Sequence, residues 1–199
     1  IEPYLTVGDK ILDVDCNGGF FLNSFSQKYD RWGTELDKIA VEYAKKYFPE
    51  FADNIHCGTL HQAEFKDETF DLVIMRGVIE HILNPNETIK EISRILNKGG
   101  RLYICATPNG ESYAADLYRQ NWTLFHPVQH LWHFSAHNLS LICKKFNLKL
   151  IWKEYPYLGT PYENIKLDIN LISKYIKKND ASLSPPFFES MMSLVFEKL

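Results

Sequence analysis

Apolar and polar positions along the chain fall into a repeating order. A short, mostly apolar run comes first, then a segment with apolar residues every three or four positions. "KILDV" (10–14) has the unbroken pattern of a strand buried on both faces. "GFFLNSFSQKY" (19–29) reads as a helix with Phe21, Leu22 and Phe25 on one face. "RWGTEL" is a short strand. "DKIAVEYAKKYF" is a helix with Asp37 as N-cap, Ile39, Tyr43 and Tyr47 at helical spacing, and Pro49 as its stop. "NIHCG" is a short strand and "FDLVIM" (70–75) a central one. "NETIKEISRILNKGG" predicts a helix with Ile89, Ile92, Ile95 and Leu96 on its apolar face. Lys98 falls near its negative end and Gly99 supplies a left-handed terminus. "RLYICATPN" is the next strand, stopped by Pro108.

Five alternations of strand and helix predict an α/β fold: a mostly parallel sheet of six to seven strands with helices on both faces and right-handed crossovers. Ligands in such sheets sit beyond the carboxyl ends of the strands, where the strand order reverses. The loop from Asp15 to Gly19 lies at that place. After Asn109 the texture turns aromatic and histidine-rich, and residues 109–135 are expected to form a lid and acceptor segment. "SAHNLSLICKKFN" is a helix capped by Ser135, and "LKLIWKEY" a strand. The remainder, 156–199, is expected to be helical, with two segments separated by "NDASLSPPF". No linker or repeat divides the chain, so 1–199 is read as one domain. Its abrupt opening, and its end before a seventh strand can be recognised, suggest trimming at both ends.

Composition narrows the function. Twenty-two basic residues stand against 25 acidic ones, for a net charge of -3, and no basic stripe exists. Nucleic acid is therefore not an expected partner. Cys16, Cys57, Cys105 and Cys143 form no CxxC pair and read as reduced, buried residues. Neither a membrane span nor a signal peptide is visible, and the expected location is cytoplasmic. His126, His130, His133 and His137 would share one face of a continuous helix, but Pro127 and Ser135 interrupt it, so no metal site is expected. The oligomeric state is not legible.

The loop "DVDCNGG" has small residues that let a ligand approach the backbone, and the helix behind it offers free N–H groups. Glu35, at the end of the second strand, is placed to accept both hydroxyl hydrogens of a ribose. Dinucleotides require G-x-G-x-x-G for their pyrophosphate, which this loop lacks. S-adenosyl-L-methionine, whose tail is an amino acid, is the alternative.

The sequence resembles the class I S-adenosylmethionine-dependent methyltransferases, with a Rossmann-like sheet. "ILDVDCNGGFFL" looks like the family's first motif and "WGTELDKIAVEYAKK" like its second. "FKDETFDLVIMRGVIEHILNPNETIKEISRILNKGGRLYICATPN" is similar to the long central stretch. "HPVQHLWHFSAHNLSLICKKFNLKL" resembles a subgroup that often methylates oxygen atoms of small molecules. The resemblance implies a cofactor site of Asp13, Asp15, Cys16, Asn17, Gly19, Glu35, Leu36, Thr59, Leu60 and Met75. Asp15 and Asn17 take the places of the motif's first two glycines, and Asp15 is expected to handicap binding. Thr59 or Leu60 falls where the family often carries an adenine-binding Asp.

The implied reaction moves a methyl group from S-adenosyl-L-methionine to a small-molecule acceptor, with oxygen favoured. His130 is the first candidate base, because the subgroup pattern also has histidine there, and His81 is the second. The alternative is a non-catalytic binding or interaction module that keeps the fold after its cofactor loop has decayed.

Overall fold

The computed structural model describes residues 2–178 and 182–199. In chain order its elements are β1 (Lys10–Val14), α1 (Phe20–Asn23), β2 (Asp30–Glu35), α2 (Lys38–Tyr47), β3 (Ile55–Cys57), β4 (Phe70–Arg76), α3 (Pro85–Ile95), β5 (Leu96–Pro108), α4 (Tyr113–Tyr118), α5 (Ala136–Lys144), β6 (Leu148–Glu154), α6 (Ile165–Lys178) and β7 (Met191–Lys198). The strands form one sheet in the order β3-β2-β1-β4-β5-β7-β6. The first five pair in parallel. β7 runs antiparallel to both β5 and β6. The chain steps outward from β1 in one direction and, after β4, in the other. The carboxyl ends of β1 and β4 therefore flank the crevice where the order reverses.

The pleat sends alternate residues to opposite faces. Ile11, Leu72 and Ile74 pack with Leu22, Val41, Ala44 and Phe51 on one side. Leu12, Val14, Val73, Met75 and Leu102 pack with Ile89, Ile92, Leu139 and Cys143 on the other. Full burial of one such aliphatic side chain contributes about 1.5–3 kcal/mol. The two-sided core thus fixes the strands, and the loops at their ends inherit a rigid base.

Five expectations change. Cys57, read as buried, is exposed at the end of β3, while Cys16, Cys105 and Cys143 are buried. The helix expected over 19–29 is a single turn, Phe20–Asn23. The Ser24 hydroxyl donates to Phe21 O at 2.6 Å and Ser26 Oγ accepts from Lys28 N at 3.4 Å, local bonds that compete with a helical ladder. In α2 the row Ile39, Tyr43 and Tyr47 faces outward, and Val41 and Ala44 are buried instead. α3 ends at Ile95. Gly99 does take a left-handed φ of 75°, but within a bulge leading into β5, where pairing jumps from Phe70–Leu96 to Leu72–Arg101. The C-terminal part is not all helical: α6 is its first segment, and the second is β7. Residues 179–181, in the break expected between the two, lie outside the described residues.

Candidate functional site

β1 carries Asp13 to its buried end, and the chain then turns through Asp15, Asn17 and Gly19, with φ of 56°, 51° and 77°. L-residues other than glycine rarely adopt this left-handed region, and Asp and Asn are among the least penalised. The loop thus takes three left-handed positions, of which only Gly19 is a glycine. Gly19 is constrained further: a Cβ there would meet Ala44, Phe48 and Phe51 at 3.3 Å. Its hydrogen lets the turn press against α2.

Glu35 closes the loop from the neighbouring strand. Its Oε2 accepts from Asn17 N at 2.7 Å and its Oε1 from Asp37 N at 2.7 Å. The carboxylate is nearly buried, at 8% exposure, and pinned from both oxygens, each of which keeps capacity for a further donor.

A cavity of about 490 Å³ opens at this place. It collects six of the ten residues expected to hold the cofactor: Asp13, Asp15, Cys16, Asn17, Glu35 and Leu36. The other four do not line it. Gly19 turns its Cα toward α2. Met75 is fully buried in the core, Leu60 is 4% exposed within the same core, and Thr59 is exposed and bonded to Gln62. Sequence reasoning missed Phe20, Phe21, Arg76, Gly77 and Val78 on the lining. The available signal was their position. Arg76 and Gly77 follow directly on the apolar run of β4, at the strand end where a ligand is expected.

The lining is strongly charged. Burial pushes the Asp13 carboxyl up to about 7; Arg76 opposes this, while Asp15 and Glu35 push further. Asp15 is also raised, by burial first and then by Glu35, with His81 working against them. The Cys16 thiol is pushed up to about 12, mainly by burial, so it is no nucleophile at neutral pH. Arg76 lies 5.2 Å from the Phe21 ring centroid. Carboxylates crowded around one guanidinium suit a ligand with cationic groups and a carboxylate of its own.

The histidines divide. His81 and His130 meet beyond β4, with ring centroids 4.9 Å apart. His133 stacks on Phe125 at 5.0 Å, with its Nε2 buried. His137 is exposed on α5. Residues 126–134 contain no helix, so the four do not form a single row. Of the aromatic segment, Tyr118 and Trp122 are buried with Ile172 of α6, while Tyr113, Phe125 and Trp132 stay exposed.

A family model described as a methyltransferase domain matches residues 1–153. The ubiquinone biosynthesis O-methyltransferase of Photobacterium profundum is 29% identical over 111 residues, which cover 53% of this chain and 47% of that one. The tRNA U34 carboxymethyltransferase of Campylobacter fetus is 28% identical over 109 residues, covering 52% and 39%. The chain thus spans half or less of the length of these two curated relatives. A solved S-adenosylmethionine-dependent methyltransferase structure from Methanosarcina mazei superposes with a TM-score of 0.70 at 18% identity, over 100% of this chain and 96% of that one. That likeness concerns the fold.

Proposed function

The chain belongs to the methyltransferase domain family, and on that premise we propose that it transfers a methyl group from S-adenosyl-L-methionine to an oxygen of a small-molecule acceptor. The observation that carries this reading is the acid-lined cavity at the switch point of the sheet, with Glu35 pinned at its edge. In the proposed arrangement Glu35 accepts from the ribose diol and Leu36 covers the adenine. Asp13 faces the ammonium and sulfonium, and Arg76 takes the carboxylate. Asp15 is then a surplus charge. Thr59, Leu60 and Met75 support the site from the core and the rim without lining it.

The sulfonium is already an activated donor, so the protein's part is alignment and exclusion of water. The acceptor oxygen attacks the methyl carbon, the C–S bond breaks with its electron pair going to sulfur, and the hydroxyl proton must leave. His130 and His81 are the proposed bases. A backbone carbonyl occupies Nδ1 of each, Leu124 O at 2.9 Å and Gln129 O at 2.8 Å. The second nitrogen of each ring is then left to accept a proton. Two relatives point in different directions by their names, one to O-methylation in ubiquinone biosynthesis and one to tRNA. The absence of a basic stripe, with 22 basic residues against 25 acidic, favours the small molecule.

The test is transfer of isotope-labelled methyl from S-adenosylmethionine to a panel of phenols, catechols and carboxylic acids, with an unmodified tRNA pool alongside. Label on a hydroxyl-bearing small molecule supports the reading. Label on tRNA alone contradicts it.

A further inference from the structure

Glu80 and His81 occupy the single 3-10 turn Ile79–His81, which follows Gly77 and Val78 of the cavity lining. His130 comes from a segment about fifty residues away, and the two are firmly tied. The N–H groups of Leu131 and Trp132 donate to Glu80 O at 2.9 and 3.3 Å, and the Trp132 indole donates to Ile82 O at 2.9 Å. Both imidazoles are held at Nδ1 by main-chain carbonyls. A carbonyl only accepts, so Nδ1 carries the proton, and in the neutral ring Nε2 presents a lone pair. This is how carbonyls behind metal-binding histidines fix the ring. Glu80 is 2% exposed, and its Oε2 accepts from the Thr107 hydroxyl at 3.2 Å. That hydroxyl is placed by a bulge in β5, where Ala106 takes a φ of 53°. One ligand atom from each of Glu80, His81 and His130 lies within 4.8 Å of the other two.

We infer that Glu80, His81 and His130 bind one first-row divalent cation, and that this cation holds the acceptor oxygen beside the methyl donor; the second clause rests on the methyl transfer proposed above. Two neutral imidazoles and a carboxylate suit zinc, manganese or ferrous iron, and an all-oxygen preference like that of magnesium or calcium is poorly met. Ligand bonds of about 2.0–2.2 Å place the three donor atoms about 3–4 Å apart, so the side chains must draw closer than their present spacing to complete the set. Three protein ligands leave positions open for oxygen atoms. A hydroxyl on such a cation ionises far more readily than in water, as bound water does. Its proton leaves to solvent on coordination, the oxygen pair then attacks the methyl carbon, and the cation is unchanged. In that state the two histidines hold the metal and do not take the proton. Sequence reading missed the set because it weighed histidines along one helix and not across two loops.

The experiment is calorimetric titration of the metal-stripped protein with zinc chloride and with manganese chloride, without S-adenosylmethionine, alongside elemental analysis. We expect one cation per chain. His81→Ala and His130→Ala should each weaken binding at least tenfold, and exposed His137→Ala should leave it unchanged. Cation binding that survives in both His81→Ala and His130→Ala, or no stoichiometric binding by the parent, overturns the site. Because Glu80 is buried and its variants risk misfolding, the exposed His81 carries the test, with an unchanged thermal melt as the check on folding. Cation binding lost in both variants of a protein that fails to take up S-adenosylmethionine would support the metal site while sinking the methyl-transfer reading.

Discussion

Asp15 carries two burdens at once: a left-handed backbone and a carboxylate partly buried beside Glu35. Asp15→Gly removes both. It should bind S-adenosylmethionine as well as the parent or more tightly, with the difference shrinking in salt, and the apoprotein should be stabilised by up to about 1 kcal/mol as the left-handed cost disappears. A tenfold loss of affinity would make Asp15 a ligand of the ammonium. Glu35→Ala should weaken cofactor binding by about 1–3 kcal/mol, the cost of charge-assisted bonds left unmade; equal affinity would reject the ribose assignment. Asp13 gives a pH dependence. Its folded value of about 7 stands above its ordinary 3.8. The stability this proton contributes to the apoprotein is therefore full below about pH 4 and lost as pH rises through 7. A cationic ligand prefers the ionised carboxylate, so S-adenosylmethionine affinity should climb between about pH 5.5 and 7, below the range where the ligand's own amine, near 8, loses its proton. Asp13→Asn should flatten that profile; a flat profile in the parent removes Asp13 from the site. At this scale the sequence showed Glu35 through its place at a strand end. Arg76 stood at a strand end too, but that this end faces the loop after β1 depends on which strand lies next to β1, and that pairing is written only in the fold.

Elements were legible where a local rule decides them. Asp37 caps α2 by accepting from Ile39 N at 2.8 Å. Ser135 caps α5 through a reciprocal pair with Asn138: its Oγ accepts from Asn138 N at 3.3 Å and Asn138 Oδ1 accepts from Ser135 N at 2.9 Å. Ser135→Ala should therefore cost about 1 kcal/mol in urea unfolding, with Ser135→Thr recovering most of it; no change would mean that packing alone holds this helix. Elements were misread where tertiary context outweighs periodicity. The row Ile39, Tyr43 and Tyr47 correctly located α2 but not its buried side, which α1 and the sheet claim through Val41 and Ala44. "MMSLVFEK" has no helix-breaking residue to mark it as β7. It becomes a strand because Leu194 and Phe196 complete the core between β5 and β6.

At the scale of the whole molecule, topology places the chemistry. The reversal of strand order between β1 and β4 opens a crevice. The loop after β1, Glu35 on β2, and Arg76 at the end of β4 all face one cavity of about 490 Å³ there. The turn after β4 then carries Glu80 and His81 toward His130. Among the described residues no helix is long and apolar enough to cross a membrane. The alternation of strand and helix made this architecture readable from the sequence, whereas the proposed acceptor side is built from loops whose pairing no periodicity encodes. The central claim is that this cavity still holds S-adenosylmethionine although its loop keeps one glycine of three. Isothermal titration calorimetry with S-adenosylmethionine, S-adenosylhomocysteine and, as a control, NADH tests it most directly. The account predicts one site per chain for both sulfur nucleosides and none for NADH. A protein that melts cooperatively yet binds neither sulfur nucleoside would contradict it and leave the fold as a non-catalytic module.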